Sequence, residues 1–295
     1  MYQWYMMATC LPENAETGKV KIKWSSTMTN KDIMRIATEQ SALEANCSPE
    51  DFFRSENIVT ISTGNKGARR NLALPAYCNL ISYGSNIVAS VNLAVKETVE
   101  KYLEQFEPGH CFGTPNIYLL NDAFRRDGMC ICFMAEFFLP DVERLKEREC
   151  GFRMEMLRPE DLTQFYIPEW SNALTSGCRE LDVLAVGAYD GARLVGLAGC
   201  SADCDTMWQI GIDVLPEYRR QGIASALTSR LALEILAAGR VPYYCVAWAN
   251  VKSVRNAVQS GFIPAWVELN AKTISFSNAL TGRKVPENTK KTCPT

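Results

Sequence analysis

The chain has 295 residues, 47% of them apolar, which is enough for about two cores at roughly 150 residues per domain. Lys and Arg total 31 against 33 Asp and Glu, a formal net charge of −2 that argues against a broad polyanion binder and leaves room for a local anion site. The single histidine, His110, excludes His-rich metal centres and argues against a Ser-His-Asp triad, so a carboxylate, tyrosine, cysteine or water is left to move any proton.

In chain order, Met1 to Cys10 shows no basic region followed by an apolar one, and no stretch approaches about 18 consecutive apolar residues. A cytoplasmic chain with no membrane partner is expected. The twelve cysteines include no Cys-x-x-Cys and read as small buried hydrophobes of a reducing compartment. His110-Cys111 has the look of a dyad, but adjacent side chains rarely reach one substrate atom, so the pairing is read as incidental.

Asn30 to Ala45 carries helical signals, and Ser48-Pro49-Glu50-Asp51 reads as a second helix start. Asn57 to Ser62 reads as a strand. Leu80 to Tyr83 and Asn86 to Val91 flank Gly84-Ser85 as a hairpin. Val95, Val99, Leu103 and Phe106 share one helix face that stops near Pro108-Gly109, and Met129 to Leu139 is an apolar strand. A domain boundary is expected between about 140 and 151, giving an α/β domain over 1–145.

In the second half, Phe152 to Leu157 reads as a strand and Arg158-Pro159-Glu160-Asp161 as a helix start. Asp182 to Tyr189 and Arg193 to Ala198 form a hairpin about Asp190-Gly191. Met207 to Val214 is a strand, Ile223 to Ala238 an amphipathic helix stopped by Gly239, Tyr243 to Trp248 a strand and Val251 to Gln259 a helix. This order predicts an α/β (α+β) fold with a mixed central sheet and helices on both faces. From Lys284 the chain reads as a polar tail.

Chemistry concentrates in the turn Val214-Leu215-Pro216-Glu217-Tyr218-Arg219-Arg220-Gln221-Gly222-Ile223-Ala224. It joins a strand to a helix whose first N–H groups lack partners and carry the positive end of the dipole, beside two arginines. A phosphate fits there. The bland alternative is a helix start with basic neighbours.

This segment resembles the acetyl-CoA motif of the GNAT superfamily, Arg/Gln-x-x-Gly-x-Gly/Ala, read here by Arg219, Gly222 and Ala224 after Val214-x-Pro216. Asn250-x-x-Ser253, Ala257 and Gly261-Phe262 occupy the place of the second motif. The likeness covers 150–270, leaving 271–295 as a C-terminal extension. Ser41-Ala42-Leu43-Glu44 through Cys47 to Phe52, with Tyr83-Gly84-x-x-Ile87-Val88, resembles the N-terminal domain of the zwittermicin A resistance family.

The GNAT resemblance implies a fold in which two parallel strands splay around acetyl-CoA, here Met207 to Val214 and Tyr243 to Trp248. Ile212, Asp213 and Val214 would line the pantetheine, with the Val214 N–H on the thioester oxygen. Arg219, Arg220, Gln221, Gly222, Ile223, Ala224 and Ser225 would wrap the pyrophosphate. Asn250 and Ser253 would hold the pantetheine or the departing thiolate; a plain helix cap is the alternative for Asn250. Relatives place an acidic tyrosine where this chain has Ala257, which leaves Ser253, Tyr244 or water. The base stays open among Asp213, Asp205 and Glu217, because Gln209 stands where some relatives carry a strand carboxylate.

The implied reaction moves acetyl from acetyl-CoA to a primary amine of a small molecule in one complex, without a metal. No nucleic acid or membrane is implied, and a homodimer stays open. An acyl-CoA-binding sensor and a protein N-acetyltransferase are the competing readings.

Overall fold

The structure is a computed structural model that describes residues 28–282. Met1 to Cys10 and the predicted tail from Lys284 lie outside these residues.

Helix α1 (Asn30–Ala45) starts at Thr29, whose side chain accepts the Asp32 N–H while the Asp32 carboxylate accepts the Thr29 N–H. The signals at Ser48 give a single 3-10 segment, Pro49–Phe53. Strand β1 (Ile58–Ile61) precedes β2 (Cys78–Ser82) and β3 (Val88–Val91), which form the expected hairpin and are buried throughout. Helix α2 (Lys96–Leu103) follows, and α3 (Asn116–Arg125), absent from the sequence reading, packs Ile117, Leu120 and Phe124 on the same core. Strand β4 (Met129–Pro140) ends the first half.

After β5 (Arg153–Leu157) the predicted helix at 158 is missing. Pro159–Asp161 makes one 3-10 turn, Pro168 opens another, and neither extends. Two prolines so close in sequence deny the segment the length a helix needs. Residues 158–181 instead lie on the sheet, packing Leu162, Trp170, Ala173 and Leu174 against Ala185 and Leu197. Then come β6 (Asp182–Asp190), β7 (Arg193–Ser201), β8 (Met207–Val214), α4 (Ile223–Ala237), β9 (Val241–Ala247) and α5 (Val251–Gln259). Two further elements, β10 (Phe262–Thr273) and α6 (Ile274–Thr281), were not foreseen.

The ten strands of the described residues join one mixed sheet in the order β1-β3-β2-β10-β4-β9-β8-β7-β6-β5. One face packs Leu80 and Leu269 under α2 and α3, and Tyr244 and Val246 under α4 and α5. The other packs Tyr243, Phe137 and Trp266 under α1, and Leu197 under residues 158–181. The fold is mixed α/β with helices on both faces. Ladders cross the segment between 140 and 151: β4 pairs with both β9 and β10.

Arg69 is buried in this shared core, 3% exposed, and its guanidinium donates to Glu44 and Glu268 at 2.7 and 2.6 Å. The Glu268 carboxylate also accepts the Trp266 indole N–H. Nine described cysteines are free thiols, five of them buried, while Cys178 is disulfide-bonded, against the expectation for all twelve.

Candidate functional site

Parallel strands β8 and β9 pair only at Met207–Val241, Trp208–Pro242 and Gln209–Tyr243. Beyond that point β8 stays with β7 as far as Val214, while β9 stays with β4 through Tyr244 to Ala247. A wedge opens between them. Its walls, Gly211 to Val214 and Cys245, are partly exposed and Ala247 is exposed, whereas Gln209 and Ile210 at the closed end are buried.

The direction of the backbone groups follows from two bonds. The Leu215 N–H donates to the Val195 carbonyl at 3.0 Å, which makes that pair hydrogen-bonded across β7 and β8. Antiparallel ladders alternate, so Ile212 and Val214, opposite Ala198 and Gly196, turn their N–H groups away from β7. The Val241 N–H donates to the Thr206 carbonyl at 2.9 Å, so even-numbered positions face β9. By register, the Ile212 and Val214 N–H groups therefore point into the wedge. The Val214 carbonyl accepts the Arg219 Nε–H at 3.0 Å.

The wedge mouth leads to the α4 N-terminus. Arg220 (φ +65°) and Gly222 (φ +78°) both adopt the left-handed conformation around Gln221, and no side chain caps the helix. The first-turn N–H groups of Ile223, Ala224 and Ser225 stay free of side-chain caps, in the arrangement that suits an anion. Nothing lies within 4 Å of where a Cβ on Gly222 would project, so its backbone is open to approach. Arg219, Arg220 and Gln221 are exposed, whereas the Ile223 side chain is buried and leaves only its backbone to the site.

On the face away from α4, the turn at Asn172 and Ala173 sits directly on the sheet. A Cβ on Gly211 would lie 1.8 Å from the Asn172 carbonyl oxygen, and one on its partner Gly199 would lie 2.2 Å from that of Ala173. Asp213, one residue from each wedge donor, grips the turn. Its carboxylate accepts the Asn172 N–H at 2.8 Å, the Asn172 Nδ2–H at 2.6 Å and the Ala173 N–H at 3.0 Å. Burial still raises its pKa above the ordinary value, against those donors and the Arg219 charge.

Beyond the wedge, Asn250 caps α5, its Oδ1 accepting the Ser253 N–H at 3.2 Å. Tyr244 is buried in the same core cluster as Ala257, and Ser253 and Asn256 of α5 work against the rise that burial imposes on its phenol. Burial pushes the phenol above its ordinary pKa. Asn250, Ser253 and Tyr244 thus gather on the α5 side, while Ile212, Asp213, Val214 and residues 219–225 line β8 and the turn. Of the other base candidates, Glu217 is paired with Arg193 at 2.7 Å and Asp205 is exposed before β8, at the closed end.

Gln209 holds that closed end. It contacts the Tyr243 hydroxyl at 3.0 Å, and that hydroxyl donates to buried Asp203. The Asn172 turn and Asp203 escaped the sequence reading, since neither carries a local motif; the glycines at 199 and 211 were the only signal. His110 is exposed beside buried Cys111, whose thiol is pushed up to about 11 by burial, so the two share no site. Among the described residues no group of three or more His, Cys, Asp or Glu is placed to hold a metal ion. Nor is any described helix long and apolar enough to cross a membrane.

Residues 146–262 match the model of the Acetyltransferase (GNAT) family. That stretch, less than half of the chain, is what is similar to the family, and it contains the wedge, the arginine turn and α5. No curated protein matches the chain. Among solved structures the chain is similar to an acetyltransferase of the GNAT family from Colwellia psychrerythraea, with 18% identity and TM-score 0.39 over 51% of this chain and 61% of that one. A GCN5-related N-acetyltransferase from Kribbella flavida gives 16% and 0.41 over 53% and 63%. An aminoglycoside N-acetyltransferase in complex with CoA gives 18% and 0.31 over 41% and 93%. The chain spans about three fifths of the first two.

Proposed function

We propose that the GNAT domain moves an acetyl group from acetyl-CoA to a primary amine of a small molecule, an aminated antibiotic or metabolite, with both held in one complex. The observation that carries this reading is a pair of N–H groups, on Ile212 and Val214, that by register face a wedge where no described strand pairs with them, leading to a helix end without a side-chain cap. Acetyl-CoA supplies the activated acyl group. Ile212 and Val214 would hold the pantetheine arm as an added strand, with the Val214 N–H on the thioester oxygen, which gains negative charge during attack. Residues 219–225 would hold the pyrophosphate. Tyr244 and Ser253 stand on the α5 side, where a hydroxyl at Ala257 is absent, and would return a proton to the thiolate.

The N-terminal half would be a domain of the zwittermicin A resistance kind that adds acceptor contacts. A cytoplasmic enzyme, monomeric or a homodimer, that engages neither nucleic acid nor membrane completes the proposal. The test is free-thiol release from acetyl-CoA across a panel of amines, alongside calorimetric CoA binding. Arg219→Glu with Gly222→Tyr is expected to abolish CoA binding. Ala257 favours a second reading, an acyl-CoA sensor; CoA binding without thiol release across the panel would select it.

A further inference from the structure

Which group takes the proton from the acceptor ammonium is the question the motifs leave open. An amine attacks only through a free lone pair, so an ammonium must lose one proton first. The wedge limits the choice. Strand β9 carries no carboxylate and β8 carries one, Asp213. Glu136 on β4 pairs with Val246 and Val267, which face the helices α2 to α5, so it stands on the other face. Asp203 and Glu268 are buried and bound to Tyr243 and to Arg69 with Trp266. Glu217 is held by Arg193.

Asp213 differs from all of these in place and in spare capacity. It is partly exposed, it lies between the two residues whose N–H groups open into the wedge, and its side chain points to the face free of α4. An ionised carboxylate has about four acceptor positions. Three are used by donors that do not rotate freely, two backbone amides and Asn172 Nδ2, so the group is held still. Oδ2 takes both amides, and Oδ1 takes Asn172 alone, which leaves the open position on Oδ1. Among the described residues, the charged or titratable groups that act on it are Arg219 from the turn after β8 and Tyr244 from β9, and the Asn172 turn supplies amide donors.

We propose that Asp213 is the catalytic base, with its open Oδ1 position directed at the acceptor amine, and that Asn172 is a positioning residue. This rests on the acetyltransferase reading. One proton passes from R–NH3+ to Asp213. The freed nitrogen pair forms the N–C bond, and the C–S bond breaks with its electron pair on sulfur. The thiolate takes a proton from the Tyr244 and Ser253 side, and the second nitrogen proton replaces the one given up there. Asp213 then releases its proton to solvent.

The experiment uses the full chain and Asp213→Asn, which keeps an oxygen for the turn amides. Thiol release with an alkylamine at pH 7 is expected to fall about 100-fold or more at saturating acetyl-CoA. The residual rate is expected to climb tenfold per pH unit as free amine accumulates, where the wild type levels off. With an alkoxyamine, already neutral at pH 7, wild type and variant are expected to run within about threefold. Asn172→Ala is expected to raise the KM for the alkylamine more than it lowers kcat and to keep the levelling wild-type profile.

Equal losses with both amines, or an alkylamine rate within threefold of wild type, would overturn the assignment. A wild type that binds CoA yet acetylates neither amine overturns the acetyltransferase reading itself and the base with it.

Discussion

The contact between Gly211 and the Asn172 carbonyl offers a quantitative test of how the acceptor side of the wedge is built. Gly211→Ala would place a Cβ 1.8 Å from that oxygen and 2.9 Å from the carbonyl carbon, both backbone atoms. The turn has to lift by more than an ångström, since ordinary contacts start near 3.4 Å. Overpacking of this kind costs about 1–3 kcal/mol. Lifting the turn also stretches the three bonds onto Asp213; each is worth about 1.5–3 kcal/mol intact with a charged acceptor, and lengthening forfeits roughly a third of it.

The combined loss is about 3–5 kcal/mol, because relaxation saves part of each contribution. At roughly 2–4 °C per kcal/mol for a chain of this size, thermal unfolding should fall by about 10 °C. Urea titration followed by tryptophan fluorescence measures the same quantity. Gly64→Ala serves as control, since nothing lies within 4 Å of its Cβ position. A Gly211→Ala variant within about 1 kcal/mol of wild type would mean that the turn is not seated on the sheet, and the account of Asp213 would fall with it.

Asp182 makes a pH prediction. It is 2% exposed and burial raises its pKa from an ordinary 3.8 to about 6, although Thr175 N–H donates to it at 2.8 Å. The folded state therefore holds the proton more tightly than the unfolded chain, and stability falls as pH rises from about 4 to about 6, by on the order of 3 kcal/mol in full. Asp182→Asn keeps an oxygen for Thr175 and should lose that slope, gaining about 1–3 kcal/mol at pH 8 in urea titrations across pH; an unchanged slope would contradict it. Arg69→Met leaves Glu44 and Glu268 buried without their shared cation, so denaturant titration should show a loss of about 3–5 kcal/mol. A loss below 1 kcal/mol would show that the carboxylates are otherwise compensated.

What the sequence revealed was local. The strand, arginine turn and α4 were readable because Val-x-Pro, the glycine and the helix period lie within about twenty residues. The Asn172 turn was not, because its seat is shaped by glycines on two strands and its clamp, Asp213, lies 41 positions away. Strand β10 was hidden for a related reason. Its Pro264 and the buried Glu268 break the polar alternation, and Glu268 is tolerated inside only because Arg69 reaches it across 199 positions. The helix predicted at 158 failed because cap signals describe how a helix begins, whereas Pro168 decides how far it runs. Nothing local marks β4 as the neighbour of β9, a pairing set by residues more than a hundred positions apart.

The position of β10 also sets an order of assembly. Strands β1, β3 and β2 are made early, as is β4, yet β10 lies between β2 and β4. A slot one strand wide stays open on the growing chain until residues 262–273 have left the ribosome. Until then Glu44 and Arg69 match one charge against one, and the arriving strand brings Glu268 as the second carboxylate together with Trp266. Pairings this distant are slow to form. The last strand acts as a keystone, and before it arrives the nascent protein displays two raw sheet edges that invite chaperone capture or self-association.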